Sequence, residues 1–157
     1  RPLCQGYKMR DEDRSVARAK PDHDGGIYTA ANAWCRDPAA AKARYGPIAS
    51  WDTSGITYMD ELFEHKKDFN EDISRWNVSN VVDMSTTFRS TTLFNGDLSC
   101  WDVGQVESMR NMFERATSFT HQLGGAWPTS TAAKFRMFRN SPGTIAGKTK
   151  DANGTIE

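Results

Sequence analysis

The sequence predicts an α/β chain: a short solenoid of about four coils, each a strand followed by a short helix, with a helical cap on its N-terminal side. Three observations carry this. Four of the five tryptophans, Trp51, Trp76, Trp101 and Trp127, are separated by 25, 25 and 26 residues. After each of the first three come an aliphatic residue (Ile56, Val81, Val106), a methionine (Met59, Met84, Met109) and a phenylalanine (Phe63, Phe88, Phe113), always at the same offsets. Polar residues keep the same step, as in Asp52/Asn77/Asp102, Ser54/Ser79/Gly104, Asn70/Asn95 and Asp72/Asp97/Gln122. Self-similarity at a fixed period of this length marks a chain of stacked units, none of which can bury its apolar face alone.

Residues 1–26 hold six basic and five acidic side chains with few apolar ones, which predicts an extended or disordered arm. Residues 27–47 form the expected helical cap. Asp37-Pro38 supplies an N-cap and first-turn pair, Ala39, Ala40, Ala41 and Ala43 favour helix, and Gly46-Pro47 ends it. The repeats divide as 48–72, 73–97, 98–122 and a degenerate 123–139, where one residue is missing and Pro128 stands in the Asp/Asn column. In each unit the tryptophan and the Thr or Val two residues on (Thr53, Val78, Val103) alternate, as on one face of a strand. Ile56, Met59 and Phe63 then fall at i, i+3 and i+7, the spacing of one helix face. Residues 140–157 contain three glycines and no aromatic residue, which predicts a flexible tail.

The segments Ile48-x-x-Trp51-x-Thr53, Ile73-x-x-Trp76-x-Val78 and Leu98-x-x-Trp101-x-Val103 have the LxxLxL pattern of a leucine-rich repeat. The full unit, W-D-[TV]-S-x-[VI]-x-x-M-x-x-[LM]-F-x(5)-F-N-x-D-[IL]-S, resembles the BspA-like leucine-rich-repeat surface proteins of bacteria and unicellular algae. The resemblance runs from residue 48 to about 140. The lead-in AANAWCRDPAAAKARYGPIASW is similar to the segment before the first repeat in algal members. It implies protein-binding or adhesive function with no catalytic residues to carry over. Cys100, where a serine is usual, and the shortened fourth unit depart from the pattern.

Composition excludes several classes. Twenty basic and twenty acidic side chains cancel, so nothing marks a nucleic-acid partner, which needs a basic stripe. No apolar run of membrane-spanning length exists. The three cysteines are too few for a disulfide scaffold; Cys4 and Cys35 could pair and staple the arm to the cap, leaving Cys100 alone. The start at Arg1 reads as a fragment or processed form, which points to export or an organelle, with plastid and cell surface as alternatives.

Local motifs yield no chemistry. Gly143–Thr149 (GTIAGKT) lacks the first glycine of a phosphate-binding loop, since Pro142 stands there. Asp151–Glu157 fits only the middle of a calcium-binding loop. The Asp/Asn columns suit Asx turns better than a metal ladder, and the Met column suits core packing. His23, His65 and His121 share no ligand spacing. No nucleophile–base pair recurs, so no enzyme, cofactor or metal is expected. Two N-x-[ST] sequons occur, at Asn77 and Asn153, the latter in the tail.

Solenoids bind through rows of equivalent exposed side chains. With the tryptophans inward, the candidate partner-binding face is Asp52, Ser54, Arg75, Asn77, Ser79, Cys100 and Asp102. The expected function is a non-enzymatic interaction or scaffold module, an accessory subunit of a larger protein assembly whose flanking arms 1–26 and 140–157 contact the partners. The alternative is a fragment of a cell-surface adhesion protein that binds extracellular ligands.

Overall fold

The computed structural model describes residues 26–157; all of the predicted arm but Gly26, which opens a helix, lies outside them, as does Cys4. The cap forms as two helices, α1 (Gly26–Arg36) and α2 (Pro38–Tyr45). Asp37 separates them. It is extended (φ −151°) and its carboxylate accepts the Ala40 amide at 3.1 Å. Pro38 then fixes the first turn of α2 and disfavours helical geometry in the residue before it, so the pair that starts one helix ends the other. Gly46, at φ 77°, donates its N–H to the Lys42 carbonyl and closes α2. α1 buries Ile27, Ala30, Ala31 and Trp34.

Beyond the cap, the chain does not form the expected solenoid of strand-plus-helix coils. Among the described residues, both α-helices lie ahead of the repeats. The only paired strands among them are the two-residue β1 (Gln122–Leu123) and β2 (Thr144–Ile145), a small parallel sheet with Leu123 opposite Ile145. The Trp-x-Thr/Val segments are not strands, and the Ile-x-x-Met-x-x-x-Phe segments are not helices. The leucine-rich-repeat architecture is therefore wrong for this chain.

Backbone conformation explains the second error. Glu61 and His65 have φ of 62° and 61°, and the same left-handed pair recurs at Thr86/Ser90, Asn111/Arg115 and Arg136/Asn140. An α-helix cannot hold such residues, each of which costs about 1–2 kcal/mol in a side-chain-bearing residue. The amides that a helix would direct to i−4 go elsewhere. Met59, Glu61, Phe63 and His65 donate to the carbonyls of Asp83, Ser85, Thr87 and Arg89 at 2.9–3.1 Å, one segment further along. The amides between them, Leu62, Glu64 and Lys66, close turns on Met59, Glu61 and Phe63. Successive four-residue double turns return every fourth side chain to the interior, which is why Met59 and Phe63 mimic a helix face. The pattern repeats from Met84–Ser90 to Ser108–Glu114 and from Met109–Arg115 to Ala133–Arg139. Isolated parallel bridges Tyr58–Asp83, Asp83–Ser108 and Ser108–Ala133 mark the same alignment.

The strand expectation fails for a similar reason. Each Trp amide closes a turn on the residue three before it, as Trp76 does on Ile73 and Trp101 on Leu98. Asp72 adds an Asx turn, its Oδ1 accepting the Ser74 amide at 3.0 Å. Local turns consume the amides that a continuous ladder would need.

The apolar columns do point inward. Trp51, Trp76, Trp101 and Trp127, with the Met and Phe columns, are buried. The indole N–H groups of Trp76, Trp101 and Trp127 reach back to the carbonyls of Ile48, Ile73 and Leu98 at 2.8–3.0 Å, tying each segment to the one before. Phe63, Phe88, Phe113 and Phe138 stack in a column with centroids 5.3–5.7 Å apart, and Phe69, Phe94 and Phe119 form a second at 5.9–6.1 Å. Offset ring stacking of this kind adds to the hydrophobic burial.

Both edges of the aligned segments are covered. At the first, Tyr28 Oη donates to the Asp60 carbonyl at 2.8 Å. This carbonyl corresponds to that of Ser85, which accepts an amide from the preceding segment. At the last, where a flexible tail is expected, residues 144–157 form β2 and a turn with an antiparallel Lys150–Ile156 bridge. The Phe138 amide donates to the Gly154 carbonyl at 2.9 Å and the Arg136 amide to Thr155 Oγ1 at 2.8 Å. Gly154 (φ 77°) lies against the Phe138–Arg139 backbone, where a Cβ would overlap the Arg139 nitrogen.

Candidate functional site

The candidate face is built from Asx turns. Asp52 Oδ1 accepts the Ser54 amide and hydroxyl at 3.1 and 2.6 Å; Asn77 Oδ1 does the same for Ser79 at 3.0 and 2.6 Å. Asp102 accepts the Gly104 amide at 3.1 Å. Adjacent turns are bridged, since Thr53 Oγ1 donates to the Asn77 carbonyl at 2.9 Å and Asn80 Nδ2 to the Ser54 carbonyl at 2.7 Å. These columns recur because each closes a turn of its own segment.

The structure thus brings Asp52, Ser54, Asn77 and Ser79 into neighbouring turns. Ser54, Arg75, Asn77, Cys100 and Asp102 are exposed, while Asp52 and Ser79 are half-buried. Asp52, Arg75 and Cys100 each already hold an interaction. Cys100 is disulfide-bonded, whereas Cys35 carries a free thiol. The expected Cys4–Cys35 staple is therefore not made. Cys35 is half-buried on α1, and burial pushes its thiol pKa up, which keeps it protonated and poorly nucleophilic.

The titrating groups that depart from ordinary behaviour have structural causes. The Ser74 hydroxyl and amide hold the Asp72 carboxyl below the usual carboxylate range. Burial lowers Lys134 and Lys150, whose Nζ atoms donate to the carbonyls of Ser130 and Ala132, and of Ser141 and Gly143. Burial, followed by the Asp60 hydrogen bond, raises Tyr28. None of these pairs a nucleophile with a base. Asp151 Oδ1, the first carboxylate of the calcium-loop match, is occupied by the Asn153 and Thr155 amides.

A cleft of about 370 Å³ runs between the cap and the first segment, lined by Trp34, Cys35, Pro38, His65, Phe69 and Glu71 among others. Trp34 packs edge-on to Trp51 at 5.9 Å, and its indole N–H is buried without a partner.

The chain has a second outward surface. The double turns form a ledge whose side chains, apart from the buried Glu114, face outward in rows: Asp60/Ser85/Arg110/Phe135, Glu61/Thr86/Asn111/Arg136, Glu64/Arg89/Glu114/Arg139 and His65/Ser90/Arg115/Asn140. Arg89 Nη1 meets Glu64 Oε1 at 3.2 Å and Arg89 Nε lies 3.6 Å from Glu114 Oε2, which links three segments by alternating charge. The 25-residue alternation Glu64, Arg89, Glu114 and Arg139 is the sequence signal of this row.

Residues 37–148, well over half of the chain, match the family model described as "Mycoplasma protein of unknown function, DUF285". The chain belongs to the DUF285 family. The DUF285 match opens at Asp37, the cap of α2, and closes at Lys148, just after β2, so it spans all the aligned segments. No curated protein and no solved structure matches this DUF285 chain. Among its described residues no helix is long and apolar enough to cross a membrane.

Proposed function

We propose that the chain is a non-enzymatic protein-interaction module of the BspA-like type, algal in kind, and serves as an accessory or scaffold subunit in a larger assembly. The observation that supports this best is the division of labour in each segment. Trp, Met and Phe columns and the backbone bonds between segments build a fixed frame, and the residues left outward differ from one segment to the next. A frame that repeats while its outward residues vary is suited to recognising an extended partner surface. The carboxylates and hydroxyls of the Asx-turn face serve turns, and the depressed Asp72 carboxyl is the reverse of what a general acid needs. On this reading the exposed Ser54, Arg75, Asn77 and Asp102 edge contacts the partner, and a plastid complex is one setting.

A second reading, a fragment of a cell-surface adhesion protein, is favoured by two features. The sequon residue Asn153 is exposed, and the bonded Cys100 fits an oxidising compartment. Gentle extraction from the source, native size separation and cross-linking mass spectrometry separate the two. Co-migration with a larger complex, cross-linked near the Asx-turn face, is the expected result. Migration near its own 17.6 kDa, or within a longer exported polypeptide, overturns the subunit reading.

A further inference from the structure

The net charge of zero conceals a separation of charge along the ledge. Its first segment carries Asp60, Glu61 and Glu64; its last two carry Arg110, Arg115, Arg136 and Arg139, with Glu114 among them buried against Arg89. Glu61, Arg110 and Arg115 are exposed, and no ion pair holds Glu61, Arg110, Arg115, Arg136 or Arg139 among the described residues. An exposed aromatic residue stands at each end, Tyr58 (58% exposed) on the acidic side and Phe135 (48%) on the basic side, where the Arg136 guanidinium lies 4.8 Å over the Phe135 ring. The ends are roughly 15 Å apart, from three inter-segment steps of about 4.8 Å. That exceeds the screening length of about 10 Å at 0.1 M salt, so each end presents its own sign to an approaching surface.

We propose that this ledge pairs with the same ledge of a second copy of this chain, antiparallel, about a two-fold axis that lies parallel to the segments, between the second and the third. The rows decide the orientation. With the first segment of one copy facing the fourth of the other, Glu61 meets Arg136 and Asp60 meets Phe135, while Arg139 comes over Glu64, which its own Arg89 already holds at 3.2 Å. The middle segments bring Ser85 to Arg110 and Ser90 to Arg115. No like charges oppose each other at these positions, and each contact occurs twice, as an isologous interface requires. A two-fold along the stacking direction would keep the segments in parallel order and set Glu61 near Glu64, Arg110 near Arg115 and Arg136 near Arg139, so like-charge repulsion selects against it. Tyr58 and Phe135 supply apolar contact at both ends. The face is small compared with a standard stable interface, so pairing is weak and salt-sensitive. It uses a different surface from the Asx-turn face and does not rest on the partner reading above.

The test is sedimentation velocity of the purified full chain against concentration at low and high ionic strength. The expected result is a monomer–dimer equilibrium at low salt that shifts to monomer as salt rises. Glu61→Arg and Arg136→Glu, each confirmed as folded by near-ultraviolet circular dichroism of the tryptophans, should each raise the dimer Kd roughly tenfold or more. The double exchange Glu61→Arg/Arg136→Glu, or an equimolar mixture of the two single variants, should restore dimer. A wild-type chain that stays monomeric at low salt overturns the proposal. So does a dimer indifferent to the single reversals, or one that the double exchange fails to restore.

Discussion

Replacing Thr86 discriminates the double turns from a helix by the sign of the effect. Thr86 sits at φ 56°, in the middle of a segment whose spacing reads as helical, and it is β-branched. Holding a residue with a Cβ in the left-handed region costs about 1–2 kcal/mol. Glycine removes that cost but loses about 0.5–1 kcal/mol in backbone entropy, so Thr86→Gly should gain about 0.5–1 kcal/mol. The Thr86 hydroxyl donates to the Ser85 carbonyl at 2.7 Å, a part-exposed bond whose loss trims the gain slightly. Thr86→Ala keeps the Cβ and gains nothing. A helix gives the opposite order, with alanine about 1 kcal/mol better than glycine. Urea unfolding followed by tryptophan fluorescence measures both variants, and an unchanged m-value licenses the comparison. Glycine above alanine supports the turns. Alanine above glycine by about 1 kcal/mol refutes them.

Other consequences can be checked alongside. Trp101 is 1% exposed and its indole serves the Ile73 carbonyl, so Trp101→Ala should cost about 3–5 kcal/mol, measured by urea unfolding. Trp101→Phe keeps part of the packing and removes one of the two donors to that carbonyl, which retains the Trp76 amide, and should cost about 1–2 kcal/mol. Gly154→Ala places a Cβ against the Phe138–Arg139 backbone at positive φ and should cost about 1–3 kcal/mol, with faster hydrogen exchange at the Phe138 and Arg136 amides. Arg75→Ala, an exposed position, should leave stability within about 0.5 kcal/mol. The Asp72 pKa is depressed in the folded chain, so its contribution to stability is present above its unfolded value of about 3.9 and is lost as pH falls through the folded value. Ser74→Ala should move the Asp72 titration upward by NMR and make this part of the acid dependence smaller.

The interior columns are legible in the sequence, and their backbone is not. Trp, Met and Phe recur at fixed offsets because each fills the same site in successive segments, and burial bears this out. Met59 and Phe63 are four apart, however, and over so short a stretch a four-residue turn period looks like a 3.6-residue helix. The signal against helix lies in left-handed positions occupied by Glu61, Thr86 and Arg136, residues that do not advertise that conformation; only His65, Asn111 and Asn140 do. Asp37-Pro38 is readable as a helix start, but the same pair also ends the preceding helix, which a reading of caps alone does not show. The Asx columns are legible as turns because an Asp or Asn two residues before Ser has an obvious bond to make. The glycines of the tail suggest flexibility, yet one of them, Gly154, is there for close packing. The ledge is invisible to a charge summed over the chain, where Glu61 and Arg136 cancel, and emerges only along the rows.

The central structural claim is that alternate ledge amides bond forward to the next segment and so stack the side chains of successive segments in rows. Scalar coupling across hydrogen bonds, measured by NMR on isotopically labelled protein, tests it most directly. The account predicts that the amides of Thr86, Phe88 and Ser90 couple to the carbonyls of Arg110, Met112 and Glu114. Coupling of those amides to Val82, Met84 and Thr86, four residues back, would restore the helix and contradict the account.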